Sequence, residues 1–311
     1  MAFESPILRS RTSGWKLWKP EEHADGGYPV HSRDVTELRA VRRRNVLECE
    51  NPDCQFQSAL HRILRRRNSE GVMLQGHWYC SLDCFEHAIA NVFAGLLKLP
   101  DTPRQHSHRI PIGLLLLGRG VISQEQLKDA LRAQQQLGNE RLGRCLVRLG
   151  VASAADVSTA LAAQWGCAVF PLERDNRYRD CSQMIPLPLL EAAQMLPLHY
   201  VEANQLLFVG FSQDIDHTTL YSVERLLGSR TEACVVSETA MEQALEEIRG
   251  TSRPAEIVFE TRFAAHEMAR TVRDYAVKIG AEELLLARPR QFLWVRLRAS
   301  GRSWDLMFRL P

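Results

Sequence analysis

The chain has 311 residues, 45% of them hydrophobic and 24% charged, with a formal net charge of +2 at pH 7. That length allows two or three domains, and the balance excludes a strong polyelectrolyte and favours a soluble, globular protein. The longest apolar run, Ile110 to Leu117, falls far short of the ~20 residues that span a bilayer. The N-terminus, MAFESPILRSRTSGWKLW, lacks the continuous apolar core and small-residue cleavage site of a signal peptide. A cytoplasmic, reducing location is therefore expected, and the eight cysteines read as metal ligands or buried thiols before disulfides.

Residues 1–45 show little periodicity, with Gly26, Gly27 and Pro29 interrupting any helix, and are expected to be largely irregular. The basic runs Arg42–Arg44 and Arg65–Arg67 can meet phosphates, but acidic residues from Glu37 to Asp53 lie among them, which suits a solvated surface.

Residues 46–100 are expected to form a metal module. Four residues separate Cys49 from Cys54, three separate Cys80 from Cys84, and 25 lie between the pairs. Four thiolates complete a tetrahedral shell for structural zinc and leave no open position for catalysis. In HWYCSLDCFEHAIANVF, Trp78 and Tyr79 read as a strand end and Ser81 as a helix start, so Cys80 sits at the turn and Cys84 on the first helical turn. The arrangement resembles a treble-clef zinc finger. His77 and His87 flank the second pair and are possible replacements for a thiolate; a chance cluster of buried cysteines is the plain alternative.

A connection follows at 93–109, with Pro100 and Pro103 breaking periodicity and His106 and His108 read as solvated. Beyond it one pattern is written twice, 30 residues apart: PIGLLLLGRGVISQEQLKDALRAQ from Pro111 and RLGRCLVRLGVASAADVSTALAAQ from Arg141, with nine of 24 positions identical. Each copy reads as a short apolar helix stopped by Gly120 or Gly150, then a second helix capped by Ser123 or Ser153. Leu127, Ala130, Leu131 and Gln134, with Val157, Ala160, Leu161 and Gln164 in the second copy, recur at helical spacing and predict one buried face per helix.

The second copy resembles the RLGxxLLxxGxIxxxxLxxxLxxQ pattern of the N-terminal domain, often called MshEN, of type II secretion and type IV pilus assembly ATPases. Arg141, Leu142, Gly143, Leu146, Gly150, Leu161 and Gln164 match it, with Val147, Ala152 and Val157 as apolar replacements. The first copy keeps Gly113, Leu116, Leu117, Gly120, Ile122, Leu127, Leu131 and Gln134, but Pro111 stands in place of the motif arginine, with Arg109 two residues upstream. Many members of that family bind cyclic di-GMP, so the resemblance implies such a ligand, held by Arg109, Gly113, Leu116, Gly120, Gln134 and the matching residues of the second copy. Guanidinium groups suit its phosphates. Equally open is a degenerate repeat that serves only as structure.

Residues 167–173 then read as a short strand, 174–183 as a polar loop, Pro186–Leu196 as a helix, Gln205–Phe211 as a strand, His217–Leu227 as a helix, Glu232–Val236 as a strand and Glu238–Ile248 as a helix. This completes an MshEN-like domain over 109–250. Residues 255–311 predict a helix, His266–Ile279, ended by Gly280, and three strands at 283–287, 292–299 and 303–310. They resemble, more loosely, the start of the second N-terminal domain of the same ATPases. The expected fold class is α+β: an N-terminal four-cysteine zinc module, a helical tandem repeat followed by a small α/β layer, and a partial α+β domain at the C-terminus.

The sequence contains no GxxxxGK[ST] phosphate-binding loop, nor any Gly-Lys dipeptide, so no ATPase core is expected and the chain reads as non-catalytic. Three functions follow as expectations: a regulatory or adaptor protein binding cyclic di-GMP, a docking component of a secretion or pilus machine acting through protein partners, and a zinc-dependent nucleic-acid binder.

Overall fold

The computed structural model describes with side chains Cys49, Asn51, Asp53, Cys54, residues 79–99 and residues 109–310 except 137, 139, 173–175, 254 and 282, and describes four N-terminal strands as backbone. Arg43, Arg44, Arg65–Arg67, His106 and His108 lie outside the described residues, as does the side chain of His77. The chain divides into two compact units, residues 1–101 with 254–311 and residues 102–253.

Chain order begins with β1 (Trp15–Trp18), β2 (Val35–Arg42), β3 (Glu70–Leu74) and β4 (His77–Tyr79), joined in that order in one antiparallel sheet. Strands therefore occupy part of a segment whose local pattern suggested irregular chain. Strand β2 finds its second partner in β3, where Arg39 stands opposite Met73 and Arg42 opposite Glu70, which no local signal reveals. Helix α1 (Leu82–Lys98) starts at Ser81, whose side chain accepts from the Cys84 N–H at 3.2 Å.

The second unit opens with the repeat: α2 (Ile112–Gly118), α3 (Gln124–Gln136), α4 (Leu142–Arg148) and α5 (Ala154–Trp165). Gly120 and Gly150 both take φ +69°, and the next N–H closes back on the helix in the same way, Val121 to the Leu116 carbonyl at 3.0 Å and Val151 to that of Leu146 at 3.1 Å. Leu116, Ala130, Leu146 and Ala160 are wholly buried and share a core with Ile122 and Ala152. Leu131 departs from the expected buried face and is 41% exposed. It stands one residue past Ala130, turned ~100° around the helix.

Strand β5 (Ala168–Val169) leads to a single helical turn, α6 (Tyr178–Cys181), and a 3-10 turn at Ser182–Met184, where the sequence suggested only a polar loop. Buried Tyr178 anchors that turn, its hydroxyl donating to Glu247 Oε2 at 2.6 Å. Helix α7 (Leu187–Ala193) is shorter than expected, because Gln194 adopts a left-handed conformation and Met195 and Leu196 enter β6 (Met195–Val201). Next come β7 (Leu206–Phe211), α8 (His217–Leu227), β8 (Arg230–Val235) and α9 (Glu238–Arg249). The sheet order is β5-β8-β7-β6, with only β6 antiparallel to its neighbour.

The chain then re-enters the first unit with β9 (Glu256–Phe259), α10 (Ala265–Ile279), β10 (Glu283–Ala287), β11 (Phe292–Ala299) and β12 (Arg302–Arg309), in sheet order β10-β11-β12-β9. Segments that the sequence treats as two separate modules share one core here. Phe85, Ile89, Phe93 and Leu96 of α1 belong to one apolar cluster with Met268, Val272 and Ala276 of α10 and Leu284, Val295, Leu306 and Phe308 of the strands. Arg273 pairs with Glu86 across the two helices, and Arg288 Nη1 donates to the Leu96 carbonyl at 3.0 Å, closing the end of α1. Inside the sheet Arg296 is bidentate to Asp305, with both N···O distances 2.7 Å, and Trp294 Nε1 donates to the same carboxylate at 2.7 Å.

Candidate functional site

The repeat forms a reciprocal pair. Gln134 Nε2, at the end of the first copy, donates to the Glu140 carbonyl at 2.8 Å, and Gln164 Nε2, at the end of the second, donates to the Ile110 carbonyl at 2.6 Å. Glu140 precedes Arg141 and Ile110 precedes Pro111, so each copy's last motif residue holds the entry to the other copy's first helix. The second helices are capped alike: the Ser123 hydroxyl accepts from Gln126 N–H and Gln126 Oε1 from Ser123 N–H, as Ser153 and Asp156 do in their turn. Hydrogen bonds from the Ser153 hydroxyl, then its N–H, hold the Asp156 carboxyl below its ordinary range.

The matched motif residues divide by burial. Gly113, Leu116, Gly143 and Leu146 are buried. A Cβ at Gly113 would stand 2.7 Å from Leu127 Cδ1, and one at Gly143 2.8 Å from Val157 Cγ1, so both glycines serve the close approach of the second helix of their own copy. Leu142, Leu161, Gln134 and Gln164 are half-buried, whereas Gly120, Gly150 and Arg141 are exposed. Arg109, the upstream replacement for the missing motif arginine, reaches Asp214 Oδ1 at 3.3 Å in the loop after β7.

The outward stripes of α2 and α4 differ in chemistry. In the first copy Ile110 and Leu114 are exposed at 58% and 53%. Their counterparts in the second copy are Glu140 and Arg144, and both are ion-paired: Glu140 with Arg148 at 2.9 Å, Arg144 with Glu238 at 2.9 Å and also with Glu242. These carboxylates hold the Arg144 guanidinium above its ordinary range, while burial followed by the neighbouring Glu140 pushes the Cys145 thiol up. Periodicity alone did not mark Ile110 and Leu114 as surface; comparing the two copies position by position would have done so.

The second cluster lies in the first unit. The sulfurs of Cys49, Cys54, Cys80 and Cys84 all lie within 4.8 Å of one another, with Cys54–Cys80 at 3.5 Å and Cys80–Cys84 at 3.7 Å. A tetrahedron with ~2.3 Å zinc–sulfur bonds has edges of about 3.8 Å. These spacings therefore suit four ligands around one ion and exceed the ~2.05 Å of a disulfide. The backbone turns supply the shape: Cys54 N–H closes on the Asn51 carbonyl at 3.0 Å, Cys80 N–H points at Cys49 Sγ at 3.4 Å, and Ser81 caps α1 so that Cys84 faces inward. Burial pushes the Cys49 thiol up to about 11 and Cys80 further in the same direction. A cation among the sulfurs would offset that cost of charging Cys49 and Cys80. Asn51, 5% exposed beside the cluster, and His87 complete the surroundings; cysteine spacing carries no signal for the asparagine.

The molecule is thus an α+β protein with a folded tandem helical repeat and a four-cysteine cluster that can hold a metal ion. Among solved structures it is similar to MshE with cdg, at 24% identity over 45% of this chain and 99% of that one, with a TM-score of 0.38. It is also similar to the N-terminal domain of XpsE in two crystal forms. One is 19% identical over 43% of this chain and 91% of that one, TM-score 0.33, and the other 21% identical over 46% and 98%, TM-score 0.27. No family model matches the chain, and no curated protein does. No helix among the described residues is long and apolar enough to cross a membrane.

Proposed function

We propose that this chain is a non-catalytic binding protein that takes cyclic di-GMP on its tandem repeat and carries structural zinc on Cys49, Cys54, Cys80 and Cys84. The observation that carries the ligand reading is the reciprocal closure of the two motif copies through Gln134 and Gln164. It makes the repeat one body in which the two copies bring different groups to one ligand, a guanidinium from the second and apolar side chains from the first. Exposed Arg141 offers a guanidinium that matches a phosphate in shape and charge. Exposed Ile110 and Leu114 offer apolar surface for a flat guanine. The close resemblance of the second copy to the MshEN motif supports the same ligand. It also supports a place in a secretion or pilus assembly machine, with a protein of that machine as partner.

The test is isothermal titration of the whole, zinc-replete chain with cyclic di-GMP. Binding at micromolar or tighter affinity that disappears in Arg141→Ala, with circular dichroism unchanged, is the expected result. A flat titration of folded protein refutes the ligand reading and leaves the Ile110–Leu114 stripe as a docking surface for a protein partner.

A further inference from the structure

The two copies of the repeat exchange glutamine hydrogen bonds as equals, yet the exposed faces of their first helices carry opposite chemistry. On the second copy the outward positions are Arg141, Arg144 and Arg148; at the same places of the first copy stand Pro111, Leu114 and Gly118, all exposed. Glu140, which precedes the second face, likewise has Ile110 as its counterpart. The first face is therefore uncharged from Ile110 to Gly118, and Ile110 and Leu114 are each more than half exposed on it. A Cβ at Gly118 would meet nothing within 4 Å, so this surface is also open to close approach. What meets the second face is another helix: α9 brings Glu238 and Glu242, one turn apart, to Arg144.

We propose that the first face is a docking seat for a helix of a partner protein, one that presents aliphatic side chains one turn apart. The two-fold relation of the copies carries this. A position that receives a helix through ion pairs on one copy recurs on the other as Leu114, so the helix that fits there is apolar where α9 is acidic. Side chains four residues apart on such a helix share one face and meet the stripe together, and Ile110 and Leu114 gain by leaving water. A second copy of this chain does not supply that helix, because its own α9 is acidic at those positions and engaged with Arg144. The docking does not depend on the ligand reading above. Where both hold, the dinucleotide and the helix compete for Ile110 and Leu114, and the ligand would release the partner.

The probe is a fluorescent, hydrocarbon-stapled alanine–glutamine helix with two leucines four residues apart, added to the full chain and read by anisotropy. The same helix with glutamates in place of the leucines is the comparison. Wild type should bind the leucine helix roughly tenfold more tightly than the glutamate helix. Ile110→Ser should weaken the leucine helix several-fold, and Leu114→Arg, the second copy's residue at this place, should abolish its binding. Arg144→Ala should leave it unchanged. All three positions are exposed, so each variant should keep the wild-type circular dichroism. Equal binding of the two helices, leucine-helix binding that survives Leu114→Arg, or folded wild type that binds neither helix overturns the proposal. Self-association of wild type that Leu114→Arg abolishes would put a second copy on the stripe and overturn the partner helix. Leucine-helix binding beside a flat cyclic di-GMP titration supports the docking and refutes the ligand reading alone.

Discussion

Gln164 Nε2 donates to the carbonyl oxygen of Ile110 at 2.6 Å, tying the last motif residue of the second copy to the residue that precedes the first. Its mirror, Gln134 to Glu140 at 2.8 Å, completes the exchange. Two half-repeats, each too short to bury its own apolar face, are held in one register by this pair.

Gln164→Ala and Gln134→Ala should each destabilise the 102–253 unit by about 0.5–1.5 kcal/mol, the net worth of one hydrogen bond. Chemical denaturation with a probe in that unit measures it. Equal stability of both variants and the wild type would show that water replaces the amides and that the reciprocity is incidental.

Gly143→Ala should cost roughly 1–3 kcal/mol, because its methyl would stand 2.8 Å from Val157 Cγ1. Val157→Ala removes the obstacle, so the double variant should be more stable than the sum of the two single losses implies. A double-mutant cycle with no coupling would contradict the contact.

Chelation of zinc should loosen the first unit and spare the second, since Cys54, Cys80 and Cys84 belong to the same apolar cluster as Phe85, Val272 and Phe308. Hydrogen exchange should rise first in α1 and α10. Faster exchange in α2–α5 and slow exchange in α1 would be the wrong pattern.

The same site gives two opposite pH dependences. On the proposal of structural zinc, metal binding should weaken as pH falls, because protons compete for the thiolates. In metal-free protein the Cys49 thiol is pushed by burial from 9.0 to about 11, so the folded state holds that proton more tightly than the unfolded chain. Its contribution is complete below about pH 9 and is lost as pH rises towards 11. Denaturation curves of metal-free protein between those limits should show declining stability, and a Cys49→Ser variant should show less of the decline.

Arg296→Ala should cost about 3–5 kcal/mol, because among the described residues it leaves the buried Asp305 carboxylate with Trp294 Nε1 as its remaining side-chain partner. Replacing Arg296 with methionine and Asp305 with leucine together should cost far less. A double variant as unstable as the single one would mean that packing, rather than the stranded charge, sets the penalty.

Much of the repeat is legible in the residues because its signals are local. Glycine at positions 120 and 150, where the backbone takes φ +69°, and serine at 123 and 153, where helices begin, act within one turn of chain. Cysteine spacing is legible for a similar reason: two short-spaced pairs need only one hairpin and one helix start to meet. Strand β6 was less legible, since its start looks like the end of α7 until Gln194 takes a left-handed conformation that favours glycine yet is held here by asparagine's longer homologue.

By itself, then, the sequence determined the two-fold repeat, its caps and stops, and the four sulfur positions, all set by short-range chemistry. Tertiary structure alone decided that residues 85–96 and 268–310 build one core, that the motif glycines face Leu127 and Val157, and that Asn51 is buried beside the four sulfurs with its Oδ1 accepting from the Asp53 N–H. Each of these depends on which surfaces remain to be buried once the local elements have formed. That is a property of the whole chain's packing, and no window of residues contains it.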